Sequence, residues 1–328
     1  MIPAMIGDAL TLRGVTHRFR DIKVLQGVDL SVGEGEIYGF LGLNGAGKTT
    51  TIRIIVGLLR LQAGEVRILG SDVRSTPIEV YRNVGVLFED FAAHPYLTGR
   101  QQVLLHARFL GLPPAAARRS ADRWLERVGL ASKASSKVKD YSLGMRRRLG
   151  LACSLVASPR IVILDEPTNG LDPQGIADLR GYLQSLSLNE GLTIFLSSHI
   201  LGEVEQLCTR VGILHHGRIQ VEGAVKDLTG RGVPKHRVRA VPMSKAKKVL
   251  EAAGGQGTVK VELADDSLVA ELTPQDVPRR VRELLAAGVE LYEVSPRIES
   301  LESVFHRMVS VEENTSPDHP PEQSAHCQ

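Results

Sequence analysis

Hydrophobic and polar positions change period along the chain, and each change marks an element. Between residues 10 and 69 apolar side chains alternate with polar ones, as in Val28, Leu30 and Val32, then come the run Ile37-Tyr38-Gly39-Phe40-Leu41 and the pair Val66 and Ile68. A period of two predicts strands. One helix interrupts them over 49–60, where Ile52, Ile55, Val56 and Leu59 recur at i, i+3, i+4 and i+7 and form one apolar face for packing on a sheet. Residues 98–158 read as helical, with stops at Gly111-Leu112-Pro113-Pro114 and at Gly129, so they form a helical lobe inserted between strands. Strands return at 161–164 and 193–196, short continuous apolar runs of the kind buried on both faces of a parallel sheet. A hairpin follows at His216-Gly217.

Beyond about Leu228 the order is strand (237–241), helix (244–253), strand (258–263), strand (268–272), helix, strand (291–294), the split β-α-β-β-α-β pattern of a ferredoxin-like domain. The second helix carries Val277, Val281, Leu284 and Leu285 and stops at Gly288, and a last helix spans 301–309. Residues 311–328 are rich in Pro, Glu, Ser and Asn and almost lack apolar side chains, which predicts a disordered tail. The division is therefore 1–228, 229–310 and 311–328, with the lobe at 98–158.

Composition excludes more than it identifies. With 43% hydrophobic and 23% charged residues, 328 residues suffice for two domains with real cores. A net charge of +3 gives no support to a nucleic-acid or lipid partner. The apolar stretches, residues 149–157 for example, fall short of the roughly 18 residues of a membrane span. The first residues show no basic segment followed by an apolar one, so the chain is expected in the cytoplasm. Cys153, Cys208 and Cys327 lie far apart with no Cys-x-x-Cys pair, and are read as reduced thiols.

The chemistry concentrates in two segments. Gly42-Leu43-Asn44-Gly45-Ala46-Gly47-Lys48-Thr49 matches the phosphate-binding loop pattern, between a predicted strand and a predicted helix. Its glycines let successive N–H groups converge on phosphate oxygens, the helix adds its positive end, Lys48 neutralises the outer phosphates, and Thr49 offers a hydroxyl to Mg²⁺. Thr50 follows in the same turn. The second segment, Ile161-Val162-Ile163-Leu164-Asp165-Glu166, ends a buried strand in two carboxylates, Asp165 for the metal and Glu166 to polarise an attacking water.

With these residues in place, further motifs make the chain resemble the ABC ATPase family. Tyr141-Ser142-Leu143-Gly144-Met145 is similar to the family's signature, departing from it at Leu143 and Met145 and keeping Ser142 and Gly144, the positions that the resemblance implies would touch phosphate. The variant is similar to that of bacterial drug and antibiotic exporters. The resemblance implies that Phe19 stacks on adenine, that Asn169-Gly170-Leu171-Asp172 is the dimer-contact loop, and that His199, after Ser198, contacts the γ-phosphate. Where most relatives carry a glutamine near the metal and the permease, this chain has Glu89, a candidate for both metal and nucleotide. It further implies an α/β P-loop cassette with a mixed sheet, a homodimer in which signature and P-loop of opposite copies share each ATP, and a separate membrane-spanning permease. The ferredoxin-like C-terminal unit resembles the accessory domain of drug-exporter ATPases and is read as a dimerisation element. On this reading the chain hydrolyses ATP with Mg²⁺ at the inner face of the membrane. The rival is an ABC ATPase acting on nucleic acid or ribosomes, against which stand a single cassette and the absence of a basic linker.

Two features receive plain readings. Arg146-Arg147-Arg148 opens a helix after the signature and pairs with acids or faces solvent. His215 and His216, adjacent on a strand, are expected on opposite faces and so unable to share a metal.

Overall fold

The computed structural model describes residues 7–75, 80–229, 235–251, 261–264, 266–273, 275–297 and 300–307. The chain divides into two compact units, 1–223 and 224–328. In the first, β1 (Asp8–Phe19) and β2 (Ile22–Gly33) form a long antiparallel hairpin. Next to β1 lies β4 (Ala63–Ile68), followed by the short β5 (Ser71–Asp72), which completes the sheet order β2-β1-β4-β5.

The second sheet is built from β3 (Ile37–Leu41), β6 (Val84–Leu87), β7 (Ile161–Asp165), β8 (Thr193–Ser198), β9 (Arg210–His215) and β10 (Arg218–Ala224), in the order β10-β9-β3-β8-β7-β6. Strands β9, β3, β8, β7 and β6 run parallel. Strands β3 and β7 are buried along their whole length, as their continuous apolar runs predict. The turn into β10 has positive φ at both His216 and Gly217, the backbone twist that closes a two-residue hairpin. Leaving the strand in that conformation brings the His215 and His216 rings to 4.0 Å, so they do not sit on opposite faces as expected from strand geometry. Among the described residues no group of three or more His, Cys, Asp or Glu side chains forms a metal cage.

Helix α1 (Lys48–Ile55) lies between the two sheets, and Ile52, Ile54 and Ile55 are fully enclosed in one core with Leu10, Leu30, Phe40, Ile163 and Phe195. The helix stops five residues before the expected Arg60. Gly57 takes φ +74°, its N–H reaches the Ile54 carbonyl, and the Leu58 N–H reaches Arg53, the bond pair of a Schellman cap. Leu59 still packs against the core, from the loop rather than the helix.

The inserted lobe contains α2 (Gly99–Phe109), α3 (Pro114–Arg127) and α4 (Leu143–Leu155). A capping box opens α2, with the Thr98 hydroxyl accepting from Gln101 N–H and the Gln101 side chain answering to Thr98 N–H. Helix α4 begins at Leu143, inside the signature-like motif rather than after it, because Ser142 serves as its N-cap. The arginine run therefore lies in the first turns of that helix. Arg146 donates to the Tyr141 carbonyl at 2.6 Å and Arg147 to the carbonyls of Phe88 and Glu89, so these two bind main-chain oxygen rather than acids. Helix α5 (Pro173–Glu190) follows β7, and α6 (Leu201–Leu207) follows β8.

The second unit opens with α7 (Val225–Leu228) and contains the antiparallel sheet β12-β13-β11-β14, built from β11 (Lys235–Val241), β12 (Val261–Ala264), β13 (Ser267–Glu271) and β14 (Glu290–Arg297). Two helices, α8 (Met243–Glu251) and α9 (Val277–Ala286), contribute Ala246, Leu250 and Leu284 to a core shared with Val238, Leu268 and Leu272. Strand β13 lies between β11 and β12 and antiparallel to both, which is the split β-α-β arrangement. The 311–328 tail and Cys327 lie outside the described residues, as do 258–260, 252–253 and 308–309 of the expected elements.

Candidate functional site

Parallel strands in register bring their C-terminal ends to one edge of the sheet, and every candidate catalytic side chain leaves from that edge. Leu41 is level with Ser198, Asp165 with Ser197, and Leu87 with Leu164. The four loops that follow β3, β6, β7 and β8 therefore present the phosphate loop, Glu89, Asp165 with Glu166, and His199 side by side.

The loop 42–47 turns sharply into α1 because Gly47 adopts φ +111° at the N-cap, where a Cβ would also lie 2.7 Å from the Leu25 side chain. Leu43, Asn44 and Gly45 are exposed, Ala46 is half-buried, and Thr49 and Thr50 are half-buried on the first helical turn. Lys48 is buried, and its ammonium donates to the Gly42 carbonyl at 2.7 Å and lies 3.2 Å from Glu166 Oε1. The other Glu166 oxygen, Oε2, is 2.9 Å from His199 Nδ1. Lysine, glutamate and histidine thus form one connected chain at the mouth of the loop. Glu166 sits at φ +48°, a left-handed backbone that costs a non-glycine residue about 1–2 kcal/mol and is retained here at the point where the carboxylate meets both partners.

Asp165 is held differently. Its Oδ2 accepts from Thr49 Oγ1 at 3.3 Å and its Oδ1 from Ser197 Oγ at 2.6 Å, while the Ser197 hydroxyl accepts the Glu166 N–H at 3.0 Å. Burial pushes the Asp165 carboxyl above the ordinary carboxylate range, the bonds from Ser197 and Thr49 oppose that, and the charges of Glu166 and Glu89 add to it. A carboxylate and a hydroxyl are hard oxygen donors, and a divalent cation beside them offsets the burial penalty, so the donor set fits Mg²⁺, which keeps most of its ligands as water and phosphate oxygen. Ser197 is a site residue that the motif reading missed. Its one sequence signal is its place two residues before His199 at a strand end.

Glu89 is exposed, and its carboxylate accepts from Asn169 Nδ2 at 2.6 Å. Asp172 caps α5, with its Oδ1 accepting from Gly175 N–H at 3.1 Å. Ser142 is exposed and its hydroxyl accepts from Met145 N–H at 3.2 Å, so the serine points along the N-terminal end of α4 next to the half-buried Gly144. Leu143, the departure from the family's signature, packs over Gly170, where a Cβ would fall 2.4 Å from its side chain. Phe19 is 46% exposed and meets the buried His17 edge-on at 4.6 Å. The structure brings Lys48, Thr49, Asp165, Glu166 and His199 into one hydrogen-bonded network, with Glu89 linked to the adjacent Asn169, whereas Phe19, Ser142 and Gly144 make no bond to that network among the described residues.

A glycine-rich loop opening a helix, beside a buried strand that ends in Asp-Glu, defines a P-loop nucleotide hydrolase. The comparisons with known proteins narrow the class. The ABC transporter family matches residues 25–169. The chain is 37% identical over 301 residues to the ABC transporter ATP-binding protein YdbJ of Bacillus subtilis, covering 92% of this chain and 95% of that protein. It is 34% identical to the bacitracin transport ATP-binding protein BcrA of Bacillus licheniformis, over 90% of this chain and 95% of that one. A solved ATP-binding subunit of an ABC transporter superposes with a TM-score of 0.62 at 31% identity, over 68% of this chain and 93% of that one. A dimeric cassette bound to ADP and phosphate superposes with a TM-score of 0.61 at 25% identity, over 66% and 98%. The chain belongs to the ABC transporter ATP-binding family, and it is an ATP-binding, ATP-hydrolysing subunit.

Proposed function

We propose that the chain powers a membrane exporter of antibiotics, drugs or other lipophilic compounds whose membrane-spanning permease is a separate polypeptide. Among the described residues no helix is long and apolar enough to cross a bilayer, which fits a subunit that works from the inner face of the membrane against such a partner. The drug-export reading draws on relatives such as the bacitracin protein and the daunorubicin/doxorubicin resistance ATP-binding protein of Streptomyces peucetius, 34% identical over 90% of this chain and 91% of that one.

The single observation that carries the mechanism is the Lys48–Glu166–His199 chain. The ammonium that serves the outer phosphates is engaged by Gly42 and Glu166. The β- and γ-phosphates of ATP replace those partners, and the loop N–H groups converge on the same oxygens. Freed from Lys48, Glu166 accepts a proton from the attacking water, and His199 contacts the γ-phosphate and holds the Glu166 carboxylate. Thr49, Asp165 and Glu89 would hold Mg²⁺, which when bound would supply charge neutralisation for the phosphates. Phe19 stacks on adenine. Two copies assemble head to tail so that Ser142 and Gly144 of one close over the nucleotide of the other, and the α4 N-terminus adds its dipole to that contact.

Gentle purification of the chain from membranes of its host, followed by identification of what accompanies it, tests the proposal. A polytopic membrane protein is the expected companion. Recovery with ribosomes or nucleic acid, and never with a membrane protein, overturns it.

A further inference from the structure

We infer that Arg147 is a positioning residue that fixes the main chain at Glu89 and so ties the signature-bearing helix α4 to the nucleotide site of its own copy. The inference rests on the reading of Glu89 as a residue that serves hydrolysis.

The arginine lies in the second turn of α4, and its Nη1 donates to two successive carbonyls, Phe88 O at 3.3 Å and Glu89 O. Its Nε is buried and makes no hydrogen bond among the described residues, so the head group is committed to the two carbonyls rather than spread over several partners. A charged donor on a carbonyl is stronger than a neutral one, and two carbonyls in succession fix the direction of the chain as it leaves β6.

The same helix face approaches β6 at backbone range. A Cβ on Gly150 would lie 2.6 Å from Leu87 Cδ1 and 3.0 Å from Phe91 Cδ1, and one on Gly85 would lie 2.2 Å from the Ser154 carbonyl. Positions 147, 150 and 154 are spaced i, i+3 and i+7, one stripe of α4. Two of the three contacts exclude side chains, so the helix and residues 85–91 fit without slack. Arg147 is the polar end of this seam, nearest the signature.

Glu89 is thereby held from both sides. Its carbonyl answers to Arg147 of α4, and its carboxylate answers to Asn169 of the loop after β7 at 2.6 Å. A tilt of the α4 N-terminus, where Ser142 caps the helix, pulls on the Glu89 main chain through Arg147, alongside the Leu143 side chain that packs over Gly170. A carboxylate at position 89 makes this restraint matter more than a neutral amide would, because its charge adds to that of Glu166 against Asp165 and its placement sets how strongly the three repel.

The test uses the purified full chain with Arg147→Met and Arg147→Lys, each in the native and the Glu89→Ala background. Turnover, KM for ATP, the Mg²⁺ dependence of nucleotide binding and amide hydrogen exchange over residues 86–92 are measured. Loss of a charge-assisted hydrogen bond predicts that Arg147→Met lowers kcat about tenfold with KM within about twofold. Exchange over 86–92 rises in the nucleotide-free protein, and the Mg²⁺ concentration needed for half-maximal nucleotide binding shifts upward. Arg147→Lys, which keeps a charged donor for the carbonyls, restores most of the turnover and the exchange protection. In the Glu89→Ala background, Arg147→Met produces no further loss of kcat. The inference is overturned if the two losses add, if Arg147→Lys is as impaired as Arg147→Met, or if exchange over 86–92 is the same in all variants. Glu89→Ala with native turnover and Mg²⁺ response overturns the reading of Glu89 itself, whereas a damaging Glu89→Ala beside a silent Arg147→Met overturns the Arg147 assignment alone.

Discussion

The phosphate-loop half of the site and the signature half are built from opposite materials. Lys48, Asp165 and Glu166 are almost entirely enclosed at the ends of buried parallel strands, and each polar group there has a partner within the same chain. Ser142 and Gly144 sit at a helix start where Ser142 is exposed and Gly144 half-buried, and the serine satisfies its own helix and makes no hydrogen bond to the buried network among the described residues. A buried cluster of charges is stable only when its members pair, and in the first half they pair within one chain. An exposed helix N-terminus carries unsatisfied N–H groups and positive potential at no such penalty, and it is free to meet an anion brought by another molecule. The contrast supports the proposed arrangement, in which the hydrolytic residues lie within one copy and the signature meets the nucleotide of a second.

The comparison breaks first at Glu166. Glu166→Gln keeps the packing and removes the proposed base, so turnover should fall about 10²–10³-fold, the scale for loss of one organised catalytic group, while a fluorescent ATP analogue still binds. Native turnover in that variant would remove the phosphate-loop half from the chemistry. On the signature side, Ser142→Asp preserves an N-cap and places a charge at the proposed docking point of a phosphate. Turnover should drop about tenfold at unchanged melting temperature, whereas Ser142→Ala should lower stability by about 1 kcal/mol through the lost cap. If Ser142→Asp turns over normally, the exposed half has no phosphate to meet.

A smaller effect separates the halves by pH. Because burial raises the Asp165 carboxyl above its ordinary range, its contribution to stability is fully present below the unfolded-state value and is lost as pH rises through the folded-state value. Metal-free native protein should therefore lose melting temperature relative to Asp165→Asn as pH increases from the ordinary carboxylate range upward. Ser197→Ala, which removes an opposing hydrogen bond, should deepen the loss, and Mg²⁺ with nucleotide should reverse it. Thermal melts across pH check all three. The smallest expected signal is chemical: burial pushes the Cys153 and Cys208 thiols up, so neither should react with iodoacetamide in the native state, and mass spectrometry should find both modified only after unfolding.

Much of this was legible in the residue pattern. The phosphate loop, the Asp165-Glu166 strand end and the lobe with its stops at Gly111 and Gly129 are all local signals, carried by a few adjacent residues whose chemistry permits little else. Helix boundaries were less legible. The i, i+3, i+4, i+7 pattern ran on through Leu59, but the Gly57 cap ended α1 at Ile55 and left Leu59 to pack from a loop. Likewise the arginine run read as a solvated or acid-paired helix start, whereas Arg146 donates to the nearby Tyr141 carbonyl and Arg147 to carbonyls about sixty positions away in the chain.

The sequence by itself determined the class of chemistry, because glycine spacing, the lysine and the paired acids are properties of short segments. Only the tertiary structure decided which side chains act together. Ser197 beneath Asp165, Asn169 on Glu89, Arg147 on the exit of β6 and Leu143 over Gly170 all depend on parallel register and on the way α4 lies against β6. Hydrogen bonds and close contacts are set by distance in space, and no periodicity within one segment records which distant segment will end up a few ångströms away.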